Sequence, residues 1–231
     1  MGYLIFRGVN TQSLDGVYVS KMPSHKKASQ RFTEYYVKGR DGALHVNEGY
    51  ANFTLTAVLV LINADVSARQ IVNAWADGSG KLITSDDLTH AYYATVEEEV
   101  EWLRVKANSG FYDTATIKFS CQPFMVEAVD SQIELLQTGS VLNYGSAESF
   151  PLIQVEGSGD VSFEFAGYPI EIDGMTQGTP VFIDCATGYV YTPSGAATMR
   201  GEIPKFEIGT NDIVFGEGLT RLLITPHWRW V

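Results

Sequence analysis

Apolar and polar residues alternate with a period of two along most of this chain, the pattern of strands that bury one face. The segments "FTEYYVKG", "NFTLTAVLVLI", "AYYATVEEEVEWLRV" and "TATIKFSCQPF" are rich in β-branched and aromatic residues, as are the later "PLIQVEG", "DVSFEFAG", "VFIDC", "GYVYT" and "TRLLITPHWRWV". Gly, Asn, Asp and Pro separate them. Short strands broken by turn signals predict β-sandwich or barrel architecture in both halves of the chain.

One segment changes period. In "DVSARQIVNAWADG", Ala68, Ile71, Val72 and Trp75 recur at helical spacing and form one apolar stripe. Ser67 with Gln70 three residues on reads as a capping box, and Val66 with Ile71 as a hydrophobic staple. Gly78 stands where a left-handed residue would end the helix. These signals predict one helix over about residues 67–77.

The stretch after it, "ADGSGKLITSDDL", contains fragments of a phosphate loop and of a calcium loop. A phosphate loop runs from a strand into a helix N-terminus, whereas here the glycines follow a helix C-terminus, whose partial charge is negative. Trp75 and Leu82 also occupy the positions of the first Gly and the magnesium-binding hydroxyl. For calcium, a loop begun at Asp77 puts Lys81 at a ligand position and Leu88 at the bidentate Glu. The stretch therefore reads as a helix stop and a turn into the strand "KLIT", with neither cofactor nor metal expected.

The chain has 231 residues, 45% hydrophobic and 12% aromatic, enough for two ordinary β domains. Its longest apolar run, Ala57 to Ile62, is far too short to cross a bilayer, and "MGYLIFRGVN" carries no secretory or myristoylation pattern, so a soluble chain is expected. Cys121 and Cys185 lack metal-like spacing; reduced thiols are the simpler assumption and a disulfide the lesser alternative. The net charge of −11 is uneven, with 13 acidic and 12 basic residues up to residue 124 and 14 against 4 beyond it. That step predicts a boundary near "CQPFMVEAVDSQ", giving domains 1–128 and 129–231. It also argues against nucleic-acid binding by the second half, since phosphate affinity comes largely from Lys and Arg.

Other chemistry is thinly supported. The four histidines, His25, His45, His90 and His227, are scattered and no G-x-S-x-G elbow occurs, so no hydrolase triad is expected. In "VEEEVEW", Glu97, Glu99 and Glu101 fall on one side of a strand, which reads as a solvated face that discourages edge pairing. "PHWRW" places Trp228 and Trp230 on one strand face, either as a sugar-stacking platform or as core, with core the commoner use. "SHKKASQR" reads as a solvated basic loop.

With the elements in this order, the chain resembles the distal tail proteins of long-tailed, non-contractile bacteriophages. The resemblance rests on "YYVKGRDGAL" (Tyr35 to Leu44), the helix and "GKLITSDD", "HAYYATV" and "IKFSCQPF" in the first half. "ESFPLIQVEGSGDVSFEFAG", "VFIDCATG" and "PKFEIGTNDI" continue it in the second. It implies a mainly β protein of two sandwich domains: the first with one helix and a hairpin arm that builds a ring, the second galectin-like. It implies a structural, non-enzymatic virion protein at the tail tip, six copies forming an adaptor ring between tail tube and hub, assembled in the host cytoplasm. Tube and hub or tail-lysin proteins are the implied partners, with tape-measure and receptor-binding proteins as further candidates, and neither membrane nor sequence-specific nucleic acid. If the ring encloses a DNA passage, an acidic wall would repel phosphate.

The arm is assigned to the helix and the turn after it, so Ile71, Val72, Trp75, Lys81, Leu82 and Ile83 are the candidate interface residues. Gly39, Arg40, Asp41, Gly42, Gly209 and Asn211 are read as turn residues that specify fold rather than bind ligand. Two rivals remain: a carbohydrate-binding protein using the second sandwich, and a tail-tube subunit.

Overall fold

The computed structural model describes residues 2–62, 66–108 and 110–231. The chain divides into two compact units that meet in sequence at Ala128 and Val129.

In the first unit, β1 (Leu4–Phe6), β2 (Val9–Asn10) and β3 (Val17–Lys21) lead to β4 (Gln30–Tyr35), β5 (Leu44–Tyr50) and β6 (Phe53–Ile62). Helix α1 (Val66–Trp75), β7 (Ser79–Thr84), β8 (Asp87–Thr95), β9 (Glu101–Ala107) and the long β10 (Gly110–Glu127) complete it. One antiparallel sheet runs β2–β1–β7–β8–β10–β6–β3, and β9 also pairs with β10. The strands form where period-two alternation supplies an inward row. On β6 that row is Leu55, Ala57, Leu59 and Leu61; on β10 it includes Ala115, Ile117 and Phe119, all buried.

Helix α1 closes this core. Val72 and Trp75 are buried, Ala68 packs beside them, and the rings of Phe6, Trp75 and Phe119 meet edge to face at centroid distances of 5.2 to 6.2 Å. The Trp75 indole N–H donates to the Val9 carbonyl at 2.9 Å. The helix ends two residues earlier than its sequence suggests, with Gly78 at φ +75° turning the chain into β7 and the Arg7 guanidinium donating to the Asp77 carbonyl at 2.6 Å. Its start also differs: Val66 and Ser67 are already helical, so Ser67 is not the cap, and Asp65, which opens this stretch, lies outside the described residues. Val66 and Ile71 are both exposed and form no staple that buries either. The segment read as one strand from Ala91 to Val105 is two, β8 and β9, because residues 96–100 leave the sheet; the Glu97–Glu99 run lies in that connection rather than on a strand face.

The second unit is a sandwich. Its strands are β11 (Ile133–Leu135), β12 (Gly139–Asn143), β13 (Leu152–Gly157), β14 (Gly159–Phe165) and β15 (Tyr168–Met175), followed by β16 (Val181–Asp184), β17 (Tyr189–Thr192), β18 (Gly195–Ala196), β19 (Gly209–Phe215) and β20 (Leu219–Thr225). They form the antiparallel sheets β11–β20–β13–β16–β17–β18 and β12–β19–β14–β15. Inward residues of both, among them Ile153, Val155, Phe163, Phe165, Ile213 and Ile224, share one core with Phe206 and Trp228. Cys121 and Cys185 are free and buried, one in each unit.

Candidate assembly surface

The strands β4 and β5 form a sheet of their own, a hairpin that pairs with no other described strand. Its register sets Phe32 opposite Asn47, Thr33 opposite Val46, Glu34 opposite His45 and Tyr35 opposite Leu44. Alternation therefore puts Phe32, Glu34 and His45 on one face and Thr33, Tyr35, Leu44 and Val46 on the other. Neither face is covered: Tyr35 is 55% exposed and Tyr36 78%, and Phe32, Val37, Leu44 and Val46 are exposed too. At the tip, Arg40 N–H donates to the Val37 carbonyl at 3.1 Å, and Gly39 and Gly42 take φ of +84° and +76°, which a Cβ would strain. Arg40 and Asp41 are the exposed residues between them.

Local contacts hold this hairpin's shape without burying it. The Tyr36 hydroxyl donates to Glu34 at 2.8 Å, the Thr33 hydroxyl to Glu48, and the Phe32 and His45 rings meet edge to face at 6.0 Å. At its root, His25 Nε2 lies 2.7 Å from Asp86, Lys26 donates to the Thr54 carbonyl at 2.8 Å, and the Tyr50 ring packs on Phe124 at 5.4 Å. A two-stranded ribbon is marginal in water by itself. Six apolar side chains on an uncovered ribbon form a surface suited to another polypeptide.

The residues assigned to an arm from sequence lie elsewhere. Val72, Trp75 and Leu82 are buried in the first unit's own core, and Ile83 is half-buried where β7 sits between β1 and β8. Lys81 reaches the Glu127 carbonyl at 2.9 Å and the Tyr93 ring at 5.9 Å. Of the six, only Ile71 is exposed. An amphipathic stripe states that something is covered and not which molecule's core does the covering. The hairpin was legible in part: "YYVKGRDGAL" carries its tip, and apolar residues on both faces of a ribbon beside a tight turn are the signal that it lacks a core.

The other readings also find their places. Asp87 accepts from Thr89 N–H and His90 N–H at 3.0 and 3.1 Å and from their side chains at 2.7 and 2.8 Å, which uses that carboxylate in its own turn. Among the described residues, no three His, Cys, Asp or Glu side chains converge as a metal site, and no helix is long and apolar enough to cross a membrane. The basic residues of the second unit are all engaged: Arg200 by Asp173, Lys205 by Glu148 at 2.6 Å, and Arg221 by Glu134 and Glu156 at 2.6 and 2.8 Å. Arg229 donates to the Glu148 carbonyl at 2.7 Å. Asn211 is buried and bonds Glu207 and Gly209 at 2.9 Å, so the Gly209 turn is built into the sandwich. Trp228 is 1% exposed, in the core with Phe206, so it cannot form a sugar platform with the half-buried Trp230.

No protein-family model matches the chain, and no curated protein does. Solved structures do match its fold. The Dit protein (gp 19.1) of phage SPP1, described as a paradigm of the hub adsorption apparatus in phages that infect Gram-positive bacteria, superposes with a TM-score of 0.77 at 12% identity, over 100% of both chains. A chain of the phage P2 baseplate, in its activated conformation with Ca, gives 0.52 at 9% identity over 96% of both. At these identities the likeness is one of fold: the whole chain has the Dit fold, mainly β with one helix in its first half.

Proposed function

We propose that this chain is a structural, non-enzymatic component of a phage tail tip, whose copies close into a six-membered ring joining the tail tube to the hub. The observation that carries this reading is the end-to-end fold match to the SPP1 Dit protein, joined to an exposed hairpin that its own chain leaves uncovered. The P2 baseplate likeness points the same way.

A ring needs a head-to-tail contact, made by two different surfaces of one chain. The first unit offers such surfaces. The hairpin β4–β5 is one. In addition, the run β3–β6–β10–β9 ends in two strands, β3 and β9, that each pair on one side only among the described residues. Open edges of this kind are templates for pairing with another chain. Tube and hub proteins are the proposed partners, and the host cytoplasm the proposed site of assembly. The acidic second unit, with its few cations engaged internally, suits a protein that does not grip nucleic acid.

Negative-stain images of the concentrated protein test the reading. Closed rings with six-fold symmetry are expected. Open stacks of indefinite length would identify a tube subunit instead, and a particle that stays single while binding glycans would identify a lectin.

A further inference from the structure

The inward row of β10 is Asp113, Ala115, Ile117, Phe119 and Cys121, all buried, and Asp113 is its one charged member. Its carboxylate is 1% exposed and is gripped from two sides. Arg69, from α1, donates through Nε and Nη2 to Oδ2 at 2.8 and 2.6 Å. Arg104, from β9, donates through Nε to Oδ1 at 2.8 Å and through Nη2 to Oδ2 at 3.2 Å. One carboxylate thus ties the helix, the edge strand and the central strand together. A second tie runs beside it: the Trp102 indole N–H donates to Asn73 Oδ1 at 3.1 Å, and the Arg69 guanidinium lies 5.7 Å from the Trp102 ring centre.

The placement of these charges matters because, beyond its seven-residue ladder to β10 and the partly buried Trp102, β9 has little to fix it. None of its residues is buried, and β10 is its only strand partner among the described residues. The ladder fixes the register of β9 on β10, and the paired Arg–carboxylate bonds, which are directional, join the Trp102–Asn73 bond in tying it to the helix. A buried charge cluster is also a poor source of net stability, since apolar side chains of similar volume often do as well or better.

We infer that Asp113, through Arg104 and Arg69, is a positioning residue for assembly: it holds the edge strand β9 and helix α1 in one fixed relation, so that β9 presents its open edge to a second copy of this chain. The inference rests on the ring reading. It also makes a claim about the single chain, that the charge cluster adds to the β10 ladder in ordering β9.

The test replaces the cluster with apolar side chains, Arg69→Met, Arg104→Leu and Asp113→Val together, so that no charge is left unpaired. The triple variant is expected to melt at or above the parent's temperature. In dilute protein, its amides from Glu101 to Ala107 should exchange with solvent about tenfold faster while those of β6 are unchanged, and its rings should form about tenfold more weakly. Unchanged exchange in β9 overturns the inference. So does a lowered melting temperature, which would make the cluster a source of stability rather than of position, and so do rings formed as readily as the parent's. If the parent itself forms no rings, the ring reading fails, and exchange in β9 still decides the positioning claim.

Discussion

Trp75 gathers the first unit's core at a single residue: its ring meets Phe6 and Phe119, and its N–H is spent on the Val9 carbonyl. Trp75→Ala should therefore cost about 3 to 5 kcal/mol, read as a lower denaturant midpoint of the first transition. The thiols make a second residue-scale prediction. Burial pushes both Cys121 and Cys185 up to about 12, so almost no thiolate exists at neutral pH. Neither should react with iodoacetamide in the folded chain, and both should react once it is unfolded; rapid labelling of the native protein would contradict the burial described. Acid should act through Asp113, whose carboxyl the Arg104 hydrogen bond holds below the ordinary range against the opposing effect of burial, with Arg69 adding to it. A folded-state pKa below the unfolded one means that this contribution is complete at neutral pH. It begins to fade as pH falls past the unfolded value of about 3.9 and is lost as pH falls through the folded one. Denaturant midpoints should drop over that acid window, and less steeply in Asp113→Asn.

At the scale of elements, the exposed hairpin and the buried one behave as opposites under the same edit. Replacing residues 32–47 with a short Gly-Ser turn removes a ribbon that shares no core, so the variant should keep the parent's melting temperature and β signal by circular dichroism. Replacing residues 77–87 removes β7 from between β1 and β8, and that variant should fail to fold cooperatively. Equal effects from the two edits would contradict the placement of the arm. The strands were legible because period-two alternation sets a buried row directly, as Leu55 to Leu61 shows. The Gly39 and Gly42 turn was legible because its φ values demand glycine. Which element projects was not, for a physical reason: "SARQIVNAW" and "RFTEYYV" both expose a need for cover, and only the three-dimensional path puts α1 over its own sheet and leaves β4–β5 bare. Trp228 escaped for a similar reason, since alternation assigns it a face without saying that Phe206 and Tyr144 stand on that side.

For the whole molecule, two sandwiches with different charge make different contributions. The first carries the uncovered hairpin and open strand edges; the second carries 13 acidic residues against 4 basic ones and a closed core. The proposed ring therefore draws on the first unit, and the acidic surface of the second would repel like-charged surfaces. The measurement that reaches this account most directly is native mass spectrometry of the parent and of the variant trimmed at residues 32–47, at matched concentrations. The account predicts six times the 25.4 kDa protomer for the parent and a single protomer for the variant. A parent of any other closed stoichiometry, or a trimmed chain that still assembles in sixes, would contradict it.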